Sequence, residues 1–195
     1  MLLESATALF AQRGYDGTSV KAITSRAGAN LGAVTYHFGG KENLYHEVLR
    51  AIAEPLLREV RAAAEGPGES ADQIERVVRA VFDYLSRNRE LPALMMHELT
   101  LERPLPRPVR HVIVGVFETL IGLVKSGQRA RSIVPGDPAL LVVSVAAQPL
   151  YAYWARRPLR VALGRDLHEA KTRGQLVEHV VSFIRRGLAP TGRAR

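Results

Sequence analysis

The run from Thr18 to Lys41, TSVKAITSRAGANLGAVTYHFGGK, limits the possible folds more than any other stretch of this chain. It holds two short helix patterns joined by a corner at Ala27-Gly28-Ala29. In the first pattern, Val20, Ile23 and Ala27 fall at i, i+3 and i+7, so they share one buried stripe. Thr18 or Ser19 can cap that helix, because a hydroxyl accepts from the N–H groups an opening turn leaves without partners. Gly28 suits a left-handed corner, where a Cβ would be strained. Asn30 can cap the second helix. Val34 and Phe38, at i and i+4, should face inward. Gly39 and Gly40 then end the helix in the left-handed region. A bracing helix, a tight corner and a short small-faced helix spell a helix-turn-helix, which lays its second helix in a DNA groove.

The residues not needed for packing supply the candidate contacts. They are Leu31, Gly32, Ala33, Thr35, Tyr36 and His37. Gly32 and Ala33 let the backbone approach base edges. Thr35 offers a hydroxyl and a methyl, and Tyr36 and His37 offer donors for phosphates. Lys41 opens the next helix, where a phosphate can pass. With Thr18, Ser19, Lys21 and Asn30, these residues make up the candidate DNA-binding set. The rival reading is a plain αα-corner around a packed Phe38.

The pattern extends beyond the corner. From Leu2 to Leu44 the chain reads LLESATALFAQRGYDGTSVKAITSRAGANLGAVTYHFGGKENL. It includes Gly14-Tyr15-x-x-Thr18-Ser19, Ala27-Gly28, Tyr36-His37-Phe38 and Lys41-Glu42-x-Leu44. This run resembles the N-terminal domain of the TetR family of bacterial transcriptional regulators. The resemblance implies an all-α homodimer that binds a palindromic operator, most simply as a repressor, and releases it when a small-molecule inducer binds the larger domain. A ligand-independent regulator and an activator are the alternatives. The chain opens almost directly on its first helix pattern, where relatives usually carry several basic residues that reach the DNA backbone. The remainder resembles the C-terminal domain of one TetR subfamily, related to the cephalosporin and chloramphenicol sensitivity regulators. LMMHELTLERP from Leu94 and DPALLVVSVAAQPLYAYWARRPL from Asp137 carry that likeness. Where the subfamily often has Gly-Gln, this chain has Ala147-Gln148, followed by Pro149, which should kink the helix.

The rest of the chain reads as an all-α body. The expected organisation is a helix-turn-helix head over 1–46, a ligand-binding and dimerisation body over 47–190 and an unstructured tail over 191–195, with about nine helices in all. Leu44, Val48, Ile52, Leu56 and Val60 step by four along one helix, with a bend expected at Pro55. Glu65-Gly-Pro-Gly-Glu reads as a linker. Ile74, Val77, Val78, Val81, Phe82 and Leu85 form the face of the next helix, and Leu91 to Leu101 is a shorter one. Arg103-Pro-Leu-Pro-Arg-Pro is a stiff connector. A helix from Val109 to Ala130 has Gly115 and Gly122 spaced for a close contact. Asp137 can cap the following helix, with Pro138 at its first position. Leu159 to Leu167 reads as irregular or as a short turn of helix, and a last helix runs from about Glu169 or Thr172 to Gly187. That last helix carries Leu176, Val177, Val180, Val181, Phe183, Ile184 and Leu188, more apolar surface than one subunit needs. Two such helices from each of two copies would bury it as a four-helix bundle. For a ligand pocket the candidates are Tyr84, Met95, Met96, His97, Phe117, Gln148, Tyr151 and Trp154.

Composition narrows the function classes. A net charge of +8 suits a polyanion partner, yet residues 1–46 hold only Arg13, Lys21, Arg26 and Lys41 against Glu4, Asp16 and Glu42. Most arginines lie later, as at Arg156, Arg157, Arg160 and Arg165, so charge alone does not locate the DNA site. The absence of cysteine removes disulfides and thiolate metal sites, in keeping with a cytoplasmic protein. His46, His111, His168 and His179 show no metal-ligand spacing, so neither metal nor cofactor is expected. The uncharged run from Ala139 to Ala155 falls short of the about 20 apolar residues a membrane span needs, so no membrane partner is expected. No phosphate loop, nucleophile elbow or suggestive carboxylate pair supports an enzyme.

Overall fold

The computed structural model describes residues 1–102, 104–166 and 169–190. The expected tail at 191–195, Arg103 of the connector and His168 lie outside the described residues. Among those described, ten helices form and no strand does. They are α1 (Leu2–Arg13), α2 (Val20–Ala27), α3 (Ala33–Phe38), α4 (Lys41–Ala64), α5 (Ser70–Arg87), α6 (Glu90–Leu99), α7 (Arg107–Arg129), α8 (Pro138–Trp154), α9 (Arg156–Leu163) and α10 (Ala170–Leu188). The helix beyond the nine expected is α9, which takes in the first part of the stretch that reads as irregular or as a short turn of helix. RRPLRVAL buries none of its side chains, so no core stripe announces it.

The chain divides into two compact units, Met1–Pro55 with Asn88–Val112 and Leu56–Arg87 with Ile113–Arg195. In the first, α1 packs on both α2 and α6. Its core combines Ala6, Leu9 and Phe10 of α1 with Ile23, Val34, Leu44, Tyr45, Val48 and Leu49, and with Leu91 and Leu94 of α6. Each such side chain contributes about 1.5–3 kcal/mol when fully withdrawn from water. His97 also belongs here. Its Nε2 lies 3.3 Å from the Ala11 carbonyl oxygen, and its ring sits against Gly14, where an added Cβ would come within 3.4 Å of Nδ1.

In the second unit α5 packs against α8 and α10. Ile74, Val77, Val78, Phe82 and Leu85 meet Val142 and Val145 of α8 and Val180, Val181, Ile184 and Leu188 of α10 in the buried set. The Tyr153 hydroxyl donates to the Phe82 carbonyl at 3.1 Å. At the surface, Arg79 joins Glu75 to Glu178, and Arg185 joins Glu75 to Asp72. The Glu65-Gly-Pro-Gly-Glu stretch is a pinned turn. Arg76 Nε donates to the Ala63 carbonyl at 3.2 Å, and Gln73 Nε2 donates to the Gly66 carbonyl at 3.1 Å.

Several expectations need correction. At the C-terminal end of the α4 stripe Leu57 is buried and Leu56 only half-buried, as a 3.6-residue period drifts off a strict four-step row. Helix α4 continues through Pro55 and α8 through Pro149. Helices α8 and α9 meet at 75° across Ala155. Gly115 does make the expected close approach, since a Cβ there would lie 2.7 Å from Leu57 Cδ2, but Gly122 has open space beside it. The second close glycine is Gly127, where a Cβ would lie 2.5 Å from Ile133 Cδ1 and 3.0 Å from Ser70 Cβ. Gly127→Ala is therefore expected to lower the melting temperature by roughly 2–8 °C, an overpacking cost of about 1–3 kcal/mol partly offset by better helix propensity. A thermal melt of the variant checks this, and an unchanged or raised midpoint contradicts it.

Candidate nucleic-acid interface

The corner forms as its residue types dictate. Ser19 caps α2, its Oγ accepting from the Ala22 N–H at 3.1 Å. Ile23, Thr24 and Ala27 turn inward. Gly28 takes the left-handed conformation at φ 63 and ψ 29, and the Ala29 N–H closes onto the Thr24 carbonyl at 2.9 Å. Thr18 does not share the exposed surface assigned to it. It is 1% exposed, with its hydroxyl donating to the carbonyls of Gly14 at 2.8 Å and Leu9 at 3.2 Å. Those carbonyls belong to α1 and to its C-cap, so Thr18 ties α1 to the start of α2 and does not face outward with the other candidates.

Asn30 does not cap α3 with its side chain. Its carbonyl instead accepts from the Ala33 N–H at 3.1 Å, so a turn through Leu31 and Gly32 precedes the helix, and Gly32 is the N-cap. Asn30 itself stays exposed. In α3 only Val34 is buried, while Phe38 is half-buried. The helix ends where expected, with Gly39 at φ 76 donating its N–H to the Thr35 carbonyl at 2.9 Å.

One inward anchor on so short a helix leaves most of its surface free. Thr35, Tyr36 and His37 are all exposed, Tyr36 at 85%, and Leu31 and Gly32 are exposed beside them. Ala33 is half-buried. The Tyr36 and His37 rings meet edge to face at 4.9 Å. Ser19 and Lys21 are exposed on α2. Lys41, half-buried, holds its Nζ 4.2 Å from the centroid of the Tyr15 ring. Ten of the eleven candidates thus reach the surface wholly or in part, and Thr18 is the exception. Tyr15 is outside the candidate set, and two of the side chains its ring meets, Lys41 and Tyr45, lie some 26 to 30 positions further along the chain, so no local spacing marks the cluster.

Comparison with known proteins agrees with this geometry. Residues 2–48 match the family model described as bacterial regulatory proteins, tetR family. Residues 71–184 match the model of the tetracyclin repressor-like C-terminal domain. The chain belongs to the TetR family. It is a DNA-binding transcriptional regulator of that family and not an enzyme. It is 32% identical over 188 residues to the Probable HTH-type transcriptional regulator YttP of Bacillus subtilis, covering 94% of this chain and 90% of that one. It is 28% identical to the HTH-type transcriptional regulator RutR of Escherichia coli K12, over 97% and 89% of the two chains. The transcriptional regulator FadR of Bacillus subtilis, solved in complex with stearoyl-CoA, shares the fold with a TM-score of 0.77, at 17% identity over 96% and 97% of the two chains.

In this TetR-family regulator the ligand candidates do not fall in one unit. Met95, Met96 and His97 belong to the first, and Tyr84, Phe117, Gln148, Tyr151 and Trp154 to the second. His97 is occupied in packing against α1, as described. Tyr84 is buried, and that burial raises its hydroxyl pKa above the ordinary tyrosine value. Phe117, Gln148 and Trp154 are half-buried. Tyr151 is 62% exposed and lines up along α8 with exposed Leu140, Val143 and Ala147. On α10 the wide apolar arc divides. Val180, Val181, Ile184 and Leu188 turn inward and Phe183 is 59% exposed. Among the described residues no single helix is long and apolar enough to cross a membrane.

Proposed function

We propose that this TetR-family protein works as a cytoplasmic homodimeric repressor, in which residues 1–46 read a palindromic operator and residues 47–190 dimerise and bind a small-molecule inducer. The observation that carries the DNA half is α3, anchored by Val34 alone and offering Thr35, Tyr36 and His37 outward as a group. One such helix makes few base contacts, each worth about 1–3 kcal/mol. A second copy related by a twofold doubles them and requires half-sites about 34 Å apart or a multiple of that. The exposed apolar row Leu140, Val143, Ala147 and Tyr151 on α8, with Phe183 on α10, supports pairing through those two helices.

Gly32 and Ala33 allow close backbone approach, Thr35 reads bases, and Ser19, Lys21, Asn30, Leu31, Tyr36, His37 and Lys41 complete the contact surface. The inducer's contribution is its unequal affinity for two dimer states, one of which spaces the two reading helices wrongly. A coupling of about 1–3 kcal/mol weakens operator binding roughly 5–150-fold. Tyr84, Phe117, Gln148, Tyr151 and Trp154 of the second unit remain the candidate inducer contacts. The stearoyl-CoA bound by FadR makes long-chain acyl-CoA the first compound to try.

Selection of bound DNA from a random library tests the reading directly. A twofold-symmetric consensus is the expected result, and recovery of unrelated sequences overturns it. Against that consensus, Lys41→Ala is expected to weaken binding to all duplexes alike and to reduce the salt slope by about two, one lost phosphate contact in each half-site. Tyr36→Ala should act in the same direction, whereas changes at Thr35 should alter base preference. An unaltered salt slope for Lys41→Ala removes its phosphate role.

A further inference from the structure

The side chain of Lys41 is not left to find its own position. Its ammonium sits 4.2 Å from the centroid of the Tyr15 ring, in the attractive range for a cation over an aromatic face. Tyr15 lies in the loop between α1 and α2, and its ring lies 5.1 Å from that of Tyr45 on α4 and 6.1 Å from that of Phe10 on α1. Phe10 and Tyr45 close the cluster edge to face at 4.7 Å. Both are buried, at 0% and 2% exposure, so they form a fixed floor beneath Tyr15. The Tyr45 hydroxyl donates to Oε1 of Glu98 on α6 at 2.5 Å, and Glu98 is itself 1% exposed. A continuous row of contacts therefore runs from the carboxylate of α6, through two tyrosine rings, to the ammonium at the first residue of α4. All of it lies within the first unit.

We propose that Tyr15 is a positioning residue for Lys41, and that the Tyr45–Glu98 hydrogen bond fixes the ring against which Tyr15 packs. The inference rests on the reading that Lys41 meets a phosphate. A free lysine has many rotamers, and a contact that must immobilise one gives up part of its free energy to ordering. Holding the ammonium over a ring before DNA arrives removes much of that cost. No other described residue is seen to hold the Lys41 ammonium, and no local pattern in the sequence pairs it with Tyr15.

The experiment compares purified full-length variants on the selected operator over a range of salt. Tyr15→Phe keeps the ring and is expected to retain binding. Mono-, di- and trifluorinated phenylalanine at position 15 keep the ring's shape while draining its negative face. Affinity is expected to fall stepwise along that series, by about two- to fivefold per subunit between phenylalanine and its trifluoro form. The same series in a Lys41→Ala background is expected to be flat, which a purely packing role for the ring would not produce. Tyr45→Phe should likewise weaken binding with Lys41 present and not in its absence. Equal losses in both backgrounds, or no loss along the fluorinated series while Lys41→Ala is weakened, overturn the positioning role. Full affinity and an unchanged salt slope for Lys41→Ala itself overturn the phosphate reading instead, so the two failures are told apart.

Discussion

Replacing Phe183 with glutamate is expected to leave the proposed dimer monomeric and to weaken operator binding at least about a hundredfold. Phe183 stands 59% exposed on a helix whose opposite face is packed into its own unit. In a dimer paired through α8 and α10 that ring would be among the most buried apolar groups at the join. A carboxylate there would have to leave water with no partner, at a cost of several kcal/mol from each copy. Since Phe183 contributes little to the isolated unit, the variant should keep its helix content and melting behaviour at low concentration. Light scattering after gel filtration reads the mass, and a mobility shift reads the affinity. The loss of affinity follows because a monomer presents one reading helix, and forgoing even a few base contacts worth about 1–3 kcal/mol each accounts for a hundredfold. A dimer that survives the substitution places the join elsewhere. Leu140→Glu on α8 is a second probe of the same face.

Phe10→Ala has the largest expected effect on stability. The ring is fully buried beneath Tyr15 and Tyr45, and the cavity left by a phenylalanine typically costs about 3–5 kcal/mol. For a chain of this size that corresponds to a melting temperature lower by roughly 6–20 °C. Because Phe10 also supports the ring that holds Lys41, operator affinity should drop even at temperatures where the variant is folded. A melt within about 2 °C of the parent would contradict this account of the core.

The sequence showed what local chemistry decides. Gly28 and Gly39 sit in the left-handed conformation that only a residue without Cβ adopts freely, and the corner and the end of α3 fall where those glycines stand. Asp137 caps α8, accepting from the Ala139 N–H at 2.8 Å, with Pro138 in the first turn. What could not be read depended on how segments come together in space. Thr18 and Ser19 are adjacent hydroxyls with equal capping ability, and only the nearby carbonyls of Leu9 and Gly14 draw Thr18 inward. Gly115, Gly122 and Gly127 share one helix, yet which of them meets a neighbour depends on where Leu57, Ile133 and Ser70 come to lie. The sequence left α9 open between an irregular stretch and a short turn of helix, because the usual signal of a helix is a buried stripe, and it buries nothing. The exposure of the candidate contacts was legible for all but Thr18, since an exposed residue on a short helix is what remains once the anchors are assigned. The ring that holds Lys41 was not, because Tyr15 reaches it only in three dimensions.

The outward face of α3 has a chemical character of its own. Between Ala33 and Phe38 there is no arginine, lysine, asparagine or glutamine, the side chains that grip guanine or adenine through paired hydrogen bonds. What the helix offers is a threonine methyl, a phenol and an imidazole, with Leu31 exposed just ahead of it. If Thr35 reads bases as proposed, its methyl can meet a C5 methyl group, the feature that separates thymine from cytosine in the major groove. Enzymatic methylation of a cytosine within the operator would then make that base resemble thymine, and a mark placed on the chromosome could change the hold of the regulator without any change in its inducer.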